Sequence, residues 1–268
     1  MITDWDDAYS NGAYIAQAET YPAVWANRAA QFRATARAEL DVVYGEGGRE
    51  RLDLFYPAGE PKGVLVFVHG GYWLAFDKST WSHLAAGAVA QGWVVALPSY
   101  PLAPSVHIRD MTACIGRAIH CVAGKVAGKM VLAGHSAGGH LVTRMLCADS
   151  PLTVAVRERL QRVVSISGLH DLRPLLRTRM NLKWGMDAAE AMAESPALHE
   201  PLPHVAVTCW VGANERPEFL RQNDLLAILW AGFGVNVQIH HEPGRHHFDV
   251  IADLAEPESA LVTCLVGG

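Results

Sequence analysis

The stretch KMVLAGHSAGGHL (residues 129–141) decides how this chain is read. Residues 129–134 form a short apolar run with strand character. From Ala137 onward, Leu141, Val142, Met145 and Leu146 recur at helical spacing. Ser136 falls on the turn between the two, and Gly134 and Gly138 are the first and last positions of G-x-S-x-G. A sharp strand-to-helix turn lifts a serine oxygen above the sheet. Side chains at the flanking positions would collide with the neighbouring strand and helix, which is why glycine stands there. A helix starting just after the serine also aims unpaired N–H groups and the positive end of its dipole at it. Glycine and serine are common in ordinary turns, so the motif gains its meaning from partners elsewhere in the chain.

On either side of this stretch, strands and helices alternate. Residues 52–56 alternate like a strand, and VLVFV (64–68) is a continuous apolar run of the kind buried on both faces of a parallel sheet. Further strands are predicted over 93–97, 129–133, 163–167, 205–211 and 235–240. Helices are predicted over 79–91, 106–122, 137–148, 217–230 and 248–262. This order predicts an α/β fold, a mostly parallel central sheet with helices on both faces. Ligands of such sheets bind beyond the carboxyl ends of the strands. Residues 172–203 are longer than a simple connection needs and read as a small helical lid inserted over the strand ends. Residues 1–40 read as a helical packing arm with aromatic anchors, helical from about 23 to 40, and 1–268 as a single domain.

Composition narrows the classes. Half of the 268 residues are hydrophobic, enough for one large core. The formal net charge of −5, with acids and bases interspersed, offers no basic face for nucleic acid. No apolar run approaches the about 18 residues that a membrane span needs. The acidic opening MITDWDDAYSN lacks the apolar core of a signal peptide. Cys114, Cys121, Cys147, Cys209 and Cys264 are scattered and odd in number, which reads as free thiols in a cytoplasmic protein.

A serine hydroxyl is a weak nucleophile alone. It needs a base for its proton, and the base needs an acid to orient it, in the chain order serine, acid, histidine. The segment IHHEPGRHHFDVI holds four histidines. His247, in the loop between the last strand and the last helix, is the base candidate, and His246 is its runner-up. A metal cluster of these histidines is disfavoured because adjacent strand residues point to opposite faces and no second ligand set accompanies them. In CWVGANERPEFLRQ, Glu215 is the first carboxylate after a strand. Glu218 falls where acids favour a first helical turn. Asp171, in SISGLHDL, is the rival acid, since it too follows a strand. In VFVHGGYWLAFDK, the loop His69–Trp73 follows a buried strand. Its glycines free backbone N–H groups to join that of Ala137 around a tetrahedral oxyanion, with His69 holding the loop.

With these residues in place, HGGYW, GHSAGG, VGANERPEFLRQ and HHFDVI together resemble the kynurenine formamidases (arylformamidases) and their bacterial esterase-like relatives within the α/β-hydrolases. The likeness runs from about Val64 to Ile251. G-x-S-x-G belongs to the whole superfamily, whereas HGGYW is more specific. The resemblance implies Ser136 as nucleophile, Glu215 at the acid position, His247 as base, and the N–H groups of Gly71, Tyr72 and Ala137 as the oxyanion hole. Many members carry Asp where this chain has Glu215, which keeps Asp171 in contention. The implied reaction is hydrolysis of N-formyl-L-kynurenine to L-kynurenine and formate, with no metal or organic cofactor. An aromatic substrate would suit aromatic walls, for which Tyr72, Trp73 and Trp184 are candidates, although core packing explains each equally well.

Two other readings stand beside this one: a short-chain carboxylesterase with the same residues and another substrate, and a non-catalytic binding protein on the same fold. Triad chemistry does not encode the leaving group. The partner expected is a small aromatic formamide or ester, without nucleic acid or membrane, and a homodimer is compatible with the sequence.

Overall fold

Val64, Val66 and Val68 belong to one hydrophobic core and Leu65 and Phe67 to another, and all five are buried. The same alternation recurs in the next strands: Val94 and Ala96 against Val95 and Leu97, Met130 and Leu132 against Val131 and Ala133. Side chains of period two feeding two cores require a sheet covered on both faces. In the computed structural model, which describes residues 2–267, these residues form the middle of an eight-stranded sheet. The strands are β1 (Ala38–Val43), β2 (Arg51–Phe55), β3 (Gly63–Val68), β4 (Val94–Pro98), β5 (Lys129–His135), β6 (Leu160–Ile166), β7 (Ala206–Gly212) and β8 (Val237–Glu242). Their order across the sheet is β1-β2-β4-β3-β5-β6-β7-β8. The pairings β1–β2 and β2–β4 are antiparallel, and all the others are parallel.

The α-helices are α1 (Trp5–Ala8), α2 (Tyr21–Thr35), α3 (Ala86–Ala90), α4 (Ile108–Lys125), α5 (Ala137–Arg144), α6 (Val154–Arg157), α7 (Asn181–Trp184), α8 (Ala188–Ala193), α9 (Pro217–Ala231) and α10 (Ala260–Val266). Helix α4 buries Ile108, Met111, Ile115, Ile119 and Val122, an apolar stripe at steps of three and four. It joins α5 and α9 over one core, while α2, α3 and α10 cover the other. This is the α/β-hydrolase architecture. Among the described residues, no helix is long and apolar enough to cross a membrane.

Three elements depart from the sequence-based expectation. The first helix ends at Thr35, and residues 38–43 are the edge strand β1. Five of its six residues are exposed, so it carries no alternating pattern that could reveal it. The helix predicted over 79–91 is two 3₁₀ turns followed by the short α3. The last helix is interrupted: a 3₁₀ turn (Ala252–Ala255) gives way to extended backbone at Glu256, and α10 begins after a Ser259 cap. Pro257 accounts for the break, because proline excludes the helical conformation from the residue before it.

Residues 172–203 hold α7, α8 and two 3₁₀ turns. Two buried glutamates tie them to the body of the domain. Glu190 accepts from the Arg109 N–H at 3.3 Å and meets Nδ1 of His107 at 3.1 Å. Glu194 accepts from Thr112 at 2.6 Å and from Nε of Arg144 at 3.3 Å.

Candidate active site

The site begins where β5 ends. A Cβ added to Gly134 would stand 2.1 Å from the Gly138 carbonyl oxygen, and one on Gly138 would stand 2.0 Å from that of Val68. Neither separation is tolerable, so both glycines are fixed by the closeness of α5 to the sheet. Ser136 is forced to φ 56°, ψ −117°. A residue with a Cβ held there stores about 1–3 kcal/mol of backbone strain, which the surrounding fold must over-determine. Its N–H donates to the Ile166 carbonyl at 2.8 Å, locking the turn to β6.

The loop after β3 is just as constrained. Gly71, Tyr72 and Trp73 all have positive φ, at 109°, 51° and 57°. The loop is held from several sides. Tyr72 donates its hydroxyl to the Tyr9 carbonyl at 2.5 Å, and the Tyr72 carbonyl accepts the Trp184 indole N–H at 2.8 Å. His69 hydrogen-bonds through Nδ1 to the Gly70 carbonyl at 2.7 Å and stacks on Tyr100 at 4.5 Å. Burial pushes the His69 imidazole down to about 4, so the ring is neutral and Nδ1–H can donate. Among the described residues, the N–H groups of Gly71, Tyr72 and Ala137 find no protein acceptor. They are therefore free to receive a developing negative charge.

The loops after β7 and β8 bring in the remaining pair. Oε2 of Glu215 lies 2.6 Å from Nδ1 of His247, and both side chains are buried. The other carboxylate oxygen accepts from the Gly212 N–H at 2.9 Å and from the hydroxyl of Ser167. Phe219 packs against the His247 ring at 4.5 Å. His135, which precedes the serine, donates through Nε2 to the His247 carbonyl at 2.9 Å. Burial, and next the facing His247, hold the His135 imidazole well below its usual range.

Ser136, His247, Gly71 and Tyr72 open onto one cavity of about 650 Å³. Its walls include the aromatic side chains of Tyr9, Trp25, Tyr72, Phe76, Trp81 and Phe248. Glu215 and His247 are thus in contact and Ser136 shares the cavity with His247, while the rival acids and histidines have other partners. Asp171 forks onto Arg173 at 2.8 and 2.9 Å. Glu218 accepts from Tyr9 at 2.7 Å and from Arg221. His246 meets Tyr21 and Asp249, His241 meets Asp224, and His240 stacks on Trp210. Among the described residues, no group of three or more His, Cys, Asp or Glu is arranged to hold a metal ion.

The aromatic wall needs correcting. Tyr72 lines the cavity, but Trp73 and Trp184 do not. They are buried against each other at 5.6 Å, as core under the loop. The arm supplies part of the same wall. Tyr9, Asn11 and Trp25 lie more than 100 residues from Ser136 in the chain yet line the same cavity. No motif marks them; their only signal is an excess of aromatic residues in the first forty positions. Ser167 left no trace in the sequence either.

The chain is similar to known hydrolases in both sequence and structure. The BD-FAE family model matches residues 52–222. The kynurenine formamidase of Salmo salar is 29% identical over 87% of this chain and 83% of its own length. That of Drosophila melanogaster is 27% identical over 81% and 76%. A solved structure from silicibacter sp. tm1040, described as a candidate thioesterase, is 51% identical over 98% of both chains with a TM-score of 0.94. The esterase of Pyrobaculum calidifontis shares the fold, with a TM-score of 0.71 at 21% identity over 91% of this chain and 90% of its own. With the matched segment running from β2 into α9, this chain belongs to the BD-FAE family, built on the α/β-hydrolase fold.

Proposed function

We propose that this protein is a serine hydrolase that cleaves a formamide or ester bond in an aromatic small molecule, with N-formyl-L-kynurenine as the leading substrate. The observation that carries the reading is the buried His247–Glu215 pair, which opens with Ser136 onto one aromatic cavity. The kynurenine formamidase relatives support the formamide, and the size and aromatic walls of the cavity support an aryl group.

In this mechanism Ser136 Oγ attacks the formyl carbon while Nε2 of His247 takes the hydroxyl proton. Glu215 holds Nδ1–H, which fixes the tautomer and stabilises the imidazolium without accepting the proton. The oxyanion is received by the N–H groups of Gly71, Tyr72 and Ala137. Each such donor lowers the barrier by about 3 kcal/mol. His247 then protonates the aryl nitrogen, the C–N bond breaks, and the amine leaves. Water attacks the formyl ester on Ser136, giving a proton to His247. Formate departs as Ser136 recovers that proton. Arm residues between Asp6 and Trp25, with Met180 from the 172–203 segment, line the pocket.

An ester substrate is the second reading, because the same groups expel an alkoxide or a thiolate as readily, and the relative in silicibacter sp. tm1040 is described as a thioesterase. Among the described residues, the cavity lining includes Asp6 and Glu19 but neither lysine nor arginine, which disfavours a strongly anionic leaving group seated inside it. The test compares kcat/KM for N-formylkynurenine, p-nitrophenyl acetate and an acyl-CoA, with fluorophosphonate labelling of Ser136. The formamide is expected to lead. An ester or thioester leading by two orders of magnitude would replace the substrate and keep the mechanism. Absence of both turnover and labelling would overturn the mechanism and leave a binding protein.

A further inference from the structure

Ser167 belongs to no motif, yet it stands directly behind the acid. It is fully buried, immediately after β6, and its hydroxyl donates to Oε1 of Glu215. Its backbone sits at φ 53°, a conformation that a residue with a Cβ rarely adopts. The strain is fixed by the Ser167 N–H, which donates to the Trp210 carbonyl at 2.7 Å and so aims the hydroxyl at the β7 loop. Glycine would relieve the strain but would supply no donor.

A glutamate reaches its partner through one more rotatable bond than an aspartate, and the terminal torsion of that side chain has broad wells. The carboxylate plane therefore needs a second fixed point if Oε2 is to stay on Nδ1 of His247. Ser167 Oγ and the Gly212 N–H together occupy Oε1 and leave Oε2 to the imidazole.

We propose that Ser167 is a positioning residue: it holds the Glu215 carboxylate, through Oε1, in the one orientation that orients His247. The proposal rests on the reading of Glu215 as the acid of the triad. A Ser167 that merely filled space would affect stability, or would lower activity alike in every background.

The test is a double-mutant cycle on the full chain with Ser167→Gly, Ser167→Ala and Glu215→Ala, reading kcat, KM and Tm. Ser167→Gly removes the hydroxyl and accepts the positive φ, so it folds even where Ser167→Ala is strained. Ser167→Gly is expected to keep its Tm within a few degrees and to lose about 10- to 100-fold in kcat with KM little altered, the effect of losing one charge-assisted hydrogen bond. Added to Glu215→Ala, either substitution is expected to cost less than twofold, since nothing remains to be positioned. Unaltered kcat in Ser167→Gly, or the same loss with and without Glu215, would overturn the proposal. If Glu215→Ala alone retains full activity, it is the triad assignment that fails instead.

Discussion

The imidazole of His135 donates to the main-chain carbonyl of His247 at 2.9 Å, joining positions 112 residues apart, and the two rings lie 4.7 Å from each other. The residue that precedes the serine thus steadies the loop that carries the histidine. The bond needs a proton on Nε2, which the neutral ring supplies, and burial keeps the ring neutral. His135→Ala is expected to lower kcat by about 5- to 30-fold, the worth of about 1–2 kcal/mol of lost positioning. Steady-state kinetics at neutral pH measure it. A kcat equal to that of the unaltered protein would show that the loop holds its shape without this bond.

Ser136→Ala is expected to reduce turnover by at least about 10³-fold while the protein stays folded, because binding and oxyanion stabilisation alone remain. Glu215→Ala is expected to lose about 10²- to 10⁴-fold. Asp171→Ala should stay within a few-fold, since that carboxylate is spent on the half-exposed Arg173. Circular dichroism controls for folding, and kcat decides. An Asp171→Ala loss matching that of Glu215→Ala would reassign the acid.

Gly138→Ala tests the packing of α5 on the sheet. The new methyl would meet the backbone oxygen of Val68 at 2.0 Å, and backbone cannot rotate aside. The substitution is expected to cost about 3 kcal/mol or more, or to prevent folding outright. Gly48→Ala, where nothing lies within 4 Å of the added carbon, serves as the control and should move the urea midpoint very little. Equal stability of the two variants would contradict the close approach of helix and strand.

Acid should unfold this protein through buried neutral histidines. Burial holds His69 at about 4 and both His140 and His170 at about 3. These values lie below that of an unfolded histidine, about 6.5. Above that pH neither state binds the extra proton, and their contribution to stability is complete. As pH falls through about 6.5 the unfolded chain takes up protons that the folded chain refuses. Stability is then lost at up to about 1.4 kcal/mol per histidine per pH unit until each folded value is reached. Urea midpoints at pH 7.5, 6 and 5 measure this, and a steady decline is expected. A midpoint that does not move across the series would mean that these rings are charged or open to solvent.

Much of the fold was legible because its signals are local. The central strands β3 and β4 are continuous apolar runs, and helix α4 carries an unbroken stripe from Ile108 to Val122. Where the signal was missing, the reading failed for a physical reason. Strand β1 is exposed and paired along one edge only, so nothing in its pattern marks it. The last helix looked continuous because its periodicity runs past Pro257, which a reading of period alone ignores.

A serine between crowded glycines at the end of a buried strand, and acids and histidines following in the order the chemistry needs, are visible in the order of residues alone. Those are properties of spacing along the chain. Which acid faces which histidine, what holds the carboxylate, and which aromatic residues line the cavity were decided only by tertiary structure. Asp171 and Glu215 both follow strands, and only the family resemblance separates them in the sequence; in the structure one is turned to Arg173 and the other to His247. Such choices depend on a few ångströms between loops that are far apart in sequence, and no periodicity records them.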